Sequence, residues 1–293
     1  MPPVPNELRP MPSELRTVGF IGLGVMGRLM AANLQAAGFA IQSYDLNRKG
    51  NRKSARDAAK GADTLITMLP DGDAVRDAVL EALPALKPGA VVIDMSSSDP
   101  AGTRALGQAL AARRVAMVDA PVSGARFKAK DATLAIMAGG DKQAFAAALP
   151  LLQKLGNQIF HVGPLGAGHA VKALNNYLGA AGTLAGFEAL LIAQAFGLDP
   201  VPMLDAINAS TGRNSTTARK IPQDVLTGAF ASGFKLALMT KDVGIAAELA
   251  KGLKLQTPFL KETLKHWKAA QKKLPRDADH TEIYKYQKKL TRR

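Results

Sequence analysis

The chain of 293 residues contains no cysteine and only four histidines. Without cysteine it cannot form disulfides, thiolate metal sites or a cysteine nucleophile. Hydrophobic residues make up 47% and charged residues 21% of the chain, which is typical of a folded globular protein and excludes wholesale disorder. The histidines form neither an HxxxH nor an HExxH pair, so we expect no zinc or iron site; they are His161, His169, His266 and His280.

An uninterrupted hydrophobic run of membrane-spanning length is also missing. The longest apolar stretch, residues 177–198, is interrupted by Glu188, Gln194 and four glycines. This favours a buried helix around which a domain packs, and we expect no membrane association. Residues 1–16 contain five prolines and no apolar core, which predicts a flexible leader rather than a signal peptide. No targeting signal is recognisable, so the expected location is the cytoplasm.

Acidic residues are few relative to basic ones, 24 against 38, which gives a net charge of +14. The last 43 residues hold thirteen Lys or Arg and four Asp or Glu, so most of the excess is local. Within residues 259–274, apolar side chains follow helical spacing while four lysines fall on another face: Leu260, Leu264, Trp267 and Leu274 against Lys261, Lys265, Lys268 and Lys272. We interpret this as a solvated helix face, with a polyanion-binding tail as the alternative.

The N-terminal part of the chain contains a strand, a glycine-rich turn and a helix in immediate succession. Residues 17–21 form a short β-rich run, GLGVMG follows, and a helical pattern runs to Gly38. A second strand then ends at Asp45. Glycines at GxGxxG spacing in this βαβ setting, with an acidic residue at the end of the next strand, predict a dinucleotide-binding site.

Each glycine of this turn has a physical role. Gly22 permits the tight turn, Gly24 lets the backbone approach a pyrophosphate, and Gly27 allows close helix–strand packing. The residues between them, Leu23, Val25 and Met26, belong to the same cofactor-binding loop, whose N–H groups and helix dipole face the phosphates.

The cofactor preference depends on the end of the second strand. Asp45 could accept hydrogen bonds from ribose hydroxyls and repel a 2′-phosphate, which favours NAD. Arg48 and Lys49 lie just beyond and could instead bind that phosphate, so NADP stays possible.

Further strands alternate with helical patterns up to residue 163, the rhythm of a doubly wound α/β sheet. Loops at the carboxyl ends of such strands line the ligand crevice, so we place Met68, Leu69, Pro70 and residues 96–98 and 122–124 near the cofactor. After residue 163 the pattern is all helical, beginning with a long helix from about residue 169 to 197. We therefore predict a Rossmann-like domain over residues 17–165 and an all-helical domain over 166–293, joined by the long helix.

Two polar side chains on the long helix are candidates for chemistry. Lys172 and Asn176 are four residues apart and so project from the same face. A lysine near the positive helix end has a lowered pKa and could exchange a proton with a substrate oxygen that the amide orients. By spacing alone, such a pair is more often two ordinary surface residues.

Four motifs in order give the chain a resemblance to a known family. FIGLGVMGRLMAANL, DAPVSGA, GPLGAGHAVKALNN and MTKDVGIA are similar to the cofactor, substrate, catalytic and KDLxIA segments of the β-hydroxyacid dehydrogenases. The resemblance covers nearly the whole chain. It implies an NAD(P)-dependent oxidoreductase that interconverts a small anionic β-hydroxy acid and its semialdehyde by hydride transfer.

The resemblance also implies roles for particular residues. Lys172 would be the general acid/base, and Asn176, with Asn175, would hold the substrate. Ser123 and Gly124 would bind the substrate carboxylate. Ser97 would touch the cofactor, and Lys241 would close over its nicotinamide end.

The chain departs from the family pattern in two places. After Asp45 about a dozen residues, enough for another helix and strand, are missing, which puts the third strand and cofactor affinity in doubt. After the substrate motif, two family glycines are replaced by Ala125 and Ala132. If either position needs a positive φ, alanine strains it by about 1 kcal/mol.

Two alternatives concern partners and activity. A noncatalytic dinucleotide-binding scaffold with a basic, polyanion-binding C-terminal region is the competing function, although Lys172, Asn176 and Lys241 disfavour it and nucleic acid is not the expected partner.

The apolar helix over residues 177–198 has more surface than a small helical domain covers. We therefore expect a homodimer or homotetramer.

Overall fold

The computed structural model describes residues 17–291, and the predicted leader over residues 1–16 lies outside them. The chain divides into two compact units after His169. This division falls a few residues beyond the domain boundary predicted at 165/166.

The first unit is built on an eight-stranded sheet with the strand order β2-β1-β3-β4-β5-β7-β6 and β8 beside β7. Strands β1 to β5 run parallel, whereas β7 is antiparallel to β5 and β6. The strands are β1 Thr17–Ile21, β2 Ala40–Tyr44, β3 Thr64–Thr67, β4 Val91–Asp94, β5 Ala116–Asp119, β6 Val122–Ser123, β7 Leu134–Gly139 and β8 Gly156–Gly163. The helices are α1 Gly27–Ala36, α2 Ala55–Ala59, α3 Gly72–Ala82, α4 Pro100–Ala111, α5 Ala125–Lys130 and α6 Lys142–Leu152.

Successive strand residues point to opposite faces of this sheet, and each face is covered by its own hydrophobic cluster. Phe20 and Ile66 pack into one cluster with side chains of α1 and α6. Ile21 and Leu65, their chain neighbours, pack into the other cluster with α2, α3 and α4. Because both faces are buried, the parallel strands are continuous apolar runs. The predicted doubly wound α/β sheet is confirmed.

Strand β2 lies at one edge of the sheet, and within the described residues no strand pairs with its outer side. Instead, the segment after it folds back along that edge. Asn51 accepts a hydrogen bond from the Ser43 N–H (2.7 Å) and donates one to the Ile41 carbonyl (2.8 Å). The Arg52 N–H donates to the Ser43 carbonyl (3.0 Å). Within the described residues the connection after β2 contains no strand, but its side-chain and backbone groups bind the Ile41 carbonyl and both backbone groups of Ser43.

The two alanines that replace family glycines both have left-handed backbone conformations. Ala125 has φ +55° and Ala132 has φ +53°. This conformation is strained for an L-residue because its Cβ lies too close to the following carbonyl oxygen. The loop keeps the glycine-type backbone and carries the strain expected from the sequence.

Replacing these alanines by glycine should stabilise the protein. Relief of the strain in Ala125→Gly and Ala132→Gly should each raise the free energy of unfolding by ~1 kcal/mol. Part of this gain is offset because glycine has more conformational entropy in the unfolded chain. Urea denaturation measures the change. Ala129→Gly is the matched control, because Ala129 is buried in α5 and should lose stability on the same substitution. Lower stability in both test variants would contradict the prediction.

The second unit is helical in every described element, as the sequence predicts for the chain after residue 163. It contains most of α7, Ala167–Phe196, and then α8 Pro200–Asn208, a π-helical segment Thr216–Val225, α9 Leu236–Gly252, α10 Pro258–Gln271, a 3₁₀ turn His280–Glu282 and α11 Ile283–Thr291. Its core surrounds Phe187 of α7 and Trp267 of α10, both fully buried. The four lysines of residues 259–274 are exposed, which agrees with a solvated helix face.

Candidate cofactor and catalytic site

The turn between β1 and α1 leaves space for side chains at only one of its three glycines. Gly22 has φ +101°, and a Cβ there would collide with the Met68 carbonyl oxygen. A Cβ at Gly27 would collide with the Gly22 carbonyl oxygen. By contrast, a Cβ at Gly24 would meet no protein atom within 4 Å. Gly22 and Gly27 are thus required by the fold, whereas Gly24 faces open space of the kind a bound phosphate would occupy.

The beginning of α1 is arranged to bind an anion. In the described chain, no side chain caps this helix at Met26, and no acidic residue lies in its first turn. The first N–H groups of the helix therefore add to the positive end of its dipole. Leu23 and Val25 complete the loop, and the side chain of Val25 is exposed.

Asp45 follows β2 and is fixed by the same turn. One carboxylate oxygen accepts a hydrogen bond from the Leu23 N–H (2.6 Å), and the other accepts one from the Asn47 N–H (2.8 Å). Each carboxylate oxygen has a second acceptor site, so both can still bind a ribose hydroxyl. Arg48 and Lys49 are exposed just beyond.

The loop after β3 lies against this turn. The Met68 N–H donates to the Ile21 carbonyl (2.9 Å), and the Leu69 N–H donates to Ser96 Oγ (2.9 Å). In the sheet, β2 lies on one side of β1 and β3 on the other, and β4 lies beyond β3. The direction in which strands are added therefore reverses between β1 and β3. Doubly wound sheets bind their ligands at that point. The glycine turn, Asp45 and residues 68–70 therefore fit a dinucleotide.

A buried polar cluster, not predicted from the sequence, joins the ends of β3, β4 and β5. Asp94 accepts hydrogen bonds from Thr67 Oγ1 (2.9 Å), the Ser96 N–H (3.0 Å) and Ser98 Oγ (2.8 Å). Ser97, a predicted cofactor contact, is therefore held between two residues that bind Asp94.

Asp119 at the end of β5 belongs to the same cluster. It accepts hydrogen bonds from the Gly166 and His169 N–H groups, both 2.7 Å. Burial raises the pKa of Asp119, and the charge of His169 and these N–H groups oppose the rise. The signal in the sequence was that strands β4 and β5 both end in aspartate.

Ser123 and Gly124 form the junction between β6 and α5. Ser123 pairs with Ala135 of β7, and both junction residues are half-buried. Gly124 has φ +138°, and the alkyl chain of Lys128 covers its Cα. This position in the fold requires glycine at residue 124.

The second unit brings together the candidates from α7 and α9. Asn176 Nδ2 donates to Asp242 Oδ2 (2.6 Å), and Asn175 Nδ2 donates to Asn176 Oδ1 (3.1 Å). Lys241 Nζ lies 3.4 Å from Asp242 Oδ1. Asp242 is nearly inaccessible, so its carboxylate fixes the amide of Asn176 inside the unit. Asp242 was not predicted from the sequence, although it directly follows Lys241 in the MTKDVGIA motif.

Lys172 lies one helical turn before Asn176. Burial lowers the pKa of Lys172; the charge of Asp242 opposes this and that of Lys241 adds to it. A lysine with a lowered pKa is neutral in a larger fraction of molecules near neutral pH, and only the neutral amine accepts a proton. The candidate residues therefore fall into two groups, a cofactor group in the first unit and a Lys172–Asn176–Asp242 group in the second.

Family models match both units. The NAD binding domain of 6-phosphogluconate dehydrogenase matches residues 17–163, and the NAD-binding domain of NADP-dependent 3-hydroxyisobutyrate dehydrogenase matches residues 166–287. The chain belongs to the β-hydroxyacid dehydrogenase family. It is accordingly an NAD(P)-dependent oxidoreductase, which favours the enzyme over the noncatalytic scaffold.

Individual members of the family are similar over most of the chain. The 2-(hydroxymethyl)glutarate dehydrogenase of Eubacterium barkeri is 36% identical over 80% of this chain and 82% of its own length. The NAD-dependent L-serine dehydrogenase of Pseudomonas aeruginosa is 36% identical over 84% and 89%. The structure of Mycobacterium tuberculosis 3-hydroxyisobutyrate dehydrogenase with L-serine has a TM-score of 0.88 and 30% identity, covering 93% of this chain and 99% of that one.

Proposed function

We propose that this enzyme oxidises the primary hydroxyl of a small β-hydroxy acid to the semialdehyde, and catalyses the reverse reduction, with Lys172 as general acid/base. The observation that carries the proposal is the half-buried lysine of lowered pKa one turn from the fixed Asn176–Asp242 pair. When bound, the nicotinamide cofactor supplies the hydride acceptor or donor.

Lys172 and Asn176 have different roles at the reacting oxygen. In the oxidation, the neutral amine of Lys172 takes the hydroxyl proton, and in the reduction the ammonium returns it. One hydrogen of the Asn176 Nδ2 group is used by Asp242, so its second hydrogen can bind the substrate oxygen. Asp242 thereby orients the amide, and its charge limits how far the pKa of Lys172 falls.

Most of the proposed contacts to the substrate carboxylate and the cofactor lie in the first unit. We propose that the Ser123 hydroxyl and the Gly124 N–H bind the carboxylate, with Asn175 as a further substrate contact. Asp45 favours NAD over NADP because both of its oxygens can accept ribose hydroxyls. Ser97 and Lys241 are proposed as additional cofactor contacts on the strength of their motifs.

The substrate class follows from the relatives. L-Serine, 3-hydroxyisobutyrate and 2-(hydroxymethyl)glutarate, the compounds that appear in their names, all carry a hydroxymethyl group on the carbon next to a carboxylate. We propose a 2-substituted 3-hydroxypropionate as the substrate.

A panel of these three compounds, each with NAD and NADP, tests the function. Nicotinamide absorbance should report turnover of at least one compound, faster with NAD, and turnover about 10²–10⁴-fold slower in a Lys172→Met control. Absence of turnover with every compound and both cofactors, although NADH binds, would overturn the proposed reaction.

One face of α7 supports a proposed homodimer or homotetramer. Leu174, Leu178, Ile192 and Phe196 fall on the same side of the helix by their spacing, and between 46% and 81% of each side chain is exposed. By length and composition the helix could cross a membrane, since an 18-residue window of it has a mean hydropathy of 1.4. We propose that this face is covered by a second copy of the chain rather than by lipid, in a cytoplasmic enzyme.

Charged substitutions on that face should separate the subunits. We expect a Leu178→Glu/Ile192→Glu variant to be monomeric by light scattering at micromolar concentration, since two buried carboxylates at an interface cost several kcal/mol. Leu290→Glu, on the exposed side of α11, is the control and should leave the mass unchanged. A monomeric parent protein would refute the interface.

A further inference from the structure

Lys220 of the second unit is a cation that forms no ion pair with an acidic side chain of the described chain. It lies in the π-helical segment and is half-buried, and its Nζ donates a hydrogen bond to Thr183 Oγ1 (2.8 Å). Within residues 17–291 this ammonium has no other hydrogen bond and no carboxylate within 4 Å. Two of its three hydrogens are therefore available to a ligand.

The charges around Lys220 leave it a poorly compensated cation. Burial lowers the pKa of Lys220 to about 8, and the charge of Arg219 adds to this effect. Asp224 and Asp279 oppose it, but neither carboxylate lies within 4 Å of Nζ. At pH 7 the side chain is still an ammonium in most molecules, and its partial burial without a close counter-ion costs free energy. A bound anion would offset that cost.

Thr183 places this ammonium beside the face of α7 that carries Lys172 and Asn176. Gly179 and Thr183 continue the same stripe, because steps of three and four residues return to one side of a helix. Thr183 Oγ1 also donates to the Gly179 carbonyl (2.7 Å), which fixes the hydroxyl that holds Lys220. A Cβ added at Gly179 would meet no protein atom within 4 Å, so the stripe is open between Asn176 and Thr183.

The spacing along this stripe fits a substrate with a second acid group. Asn176 and Thr183 are seven residues apart, which corresponds to about 10 Å along the helix axis. In a 3-hydroxypropionate with a two-carbon, acid-terminated substituent on C2, six bonds join the hydroxyl oxygen to the distal carboxylate oxygen and span about 7 Å when extended. Hydrogen bonds of about 2.8 Å at both ends extend this reach to about 12 Å. The hydroxyl can therefore bind Asn176 while the distal carboxylate binds Lys220.

We propose that Lys220 is a specificity-determining residue that binds a carboxylate at the far end of the substrate's C2 substituent, so that the enzyme prefers dianionic substrates. This inference rests on the proposed function and narrows it to 2-substituted 3-hydroxypropionates whose substituent ends in an acid. Lys220 takes no part in the proton transfer. Its place in the segment Thr216–Val225 agrees with a ligand contact, since π-helical turns are rare and occur frequently at functional sites.

Calorimetric titration of the NADH-loaded enzyme tests this site without turnover, because a hydroxy acid cannot be oxidised when the cofactor is already reduced. The ligands are 2-(hydroxymethyl)glutarate and the derivative whose distal carboxylate is a primary amide, which has the same shape without the charge. We expect the parent protein to bind the diacid about tenfold more tightly than the amide, and Lys220→Met to bind the two within roughly threefold of each other. Arg219→Met is the matched control, because it removes a neighbouring but exposed charge and should keep the preference.

Two results would overturn the proposal. One is equal affinity of the parent protein for the diacid and the amide, a comparison that does not require any variant to fold. The other is a preference for the diacid that persists in Lys220→Met. Turnover of 3-hydroxyisobutyrate by the parent protein separates these results from failure of the proposed function: a protein that oxidises this compound without preferring the diacid has the proposed reaction but lacks the second acid site.

Discussion

Lys172→Met is expected to lower kcat by about 10²–10⁴-fold, the usual contribution of a general acid/base. Methionine keeps an unbranched side chain as far as Cε and lacks the amine that exchanges the proton. Cofactor affinity should change little, because Lys172 is not among the proposed cofactor contacts. Stopped-flow measurement of hydride transfer, with NADH titration by fluorescence, separates the two effects.

Lys172→Arg is the matched control for charge. Arginine keeps the positive charge but does not release a proton in proteins, so we expect it to be nearly as inactive as methionine. Substantial turnover in either variant would show that another group, or water, transfers the proton.

Lys172→Met should also make the protein more stable at neutral pH. The pKa of Lys172 is lowered by folding from its ordinary value of 10.5, so the unfolded chain binds this proton more tightly than the folded one. The resulting destabilisation is fully present below the folded-state pKa and disappears as the pH rises through 10.5. Lys172→Met removes it, and urea denaturation should show a gain at pH 7 that shrinks toward pH 10.5.

Gly24→Ala is expected to leave the fold intact and weaken NADH binding on the order of 100-fold, or ~2.7 kcal/mol. An added methyl group would meet no protein atom within 4 Å, so the free protein has space for it. The methyl group would instead occupy the position where the backbone must approach the cofactor pyrophosphate. Thermal unfolding and fluorescence titration measure the two quantities.

Gly27→Ala provides the contrast. Its Cβ would collide with the Gly22 carbonyl oxygen, so this variant should lose stability as well as cofactor affinity. If Gly24→Ala binds NADH normally, the pyrophosphate does not lie on this turn and the cofactor site must be placed elsewhere.

The architecture of the first unit could be predicted because its signals are local. A strand, a glycine turn and a helix are encoded within about twenty consecutive residues, and apolar runs mark the buried parallel strands. The prediction also anticipated strain at Ala125 and Ala132, since it needed only the identity of the residues that replace glycine. Local patterns therefore gave the strands, the fold class and the glycine turn.

The polar pairs that complete the candidate site could not be predicted, because they join distant parts of the chain. Asn176 and Asp242 are 66 residues apart, and Asp119 and His169 are 50 residues apart. Single residues of these pairs have no periodicity or spacing of their own. His169 was noticed only as a histidine outside any metal motif, and its charged neighbours became apparent only with the positions of β4 and β5.

The shortened connection after β2 has a consequence for the behaviour of the protein at high concentration. An exposed strand edge with unpaired N–H and C=O groups can add a strand from another molecule and so begin aggregation. Asn51 and Arg52 occupy these groups on β2 without forming a strand themselves. The segment therefore protects the sheet against edge-to-edge association, and the short length of this connection need not reduce the solubility of the enzyme.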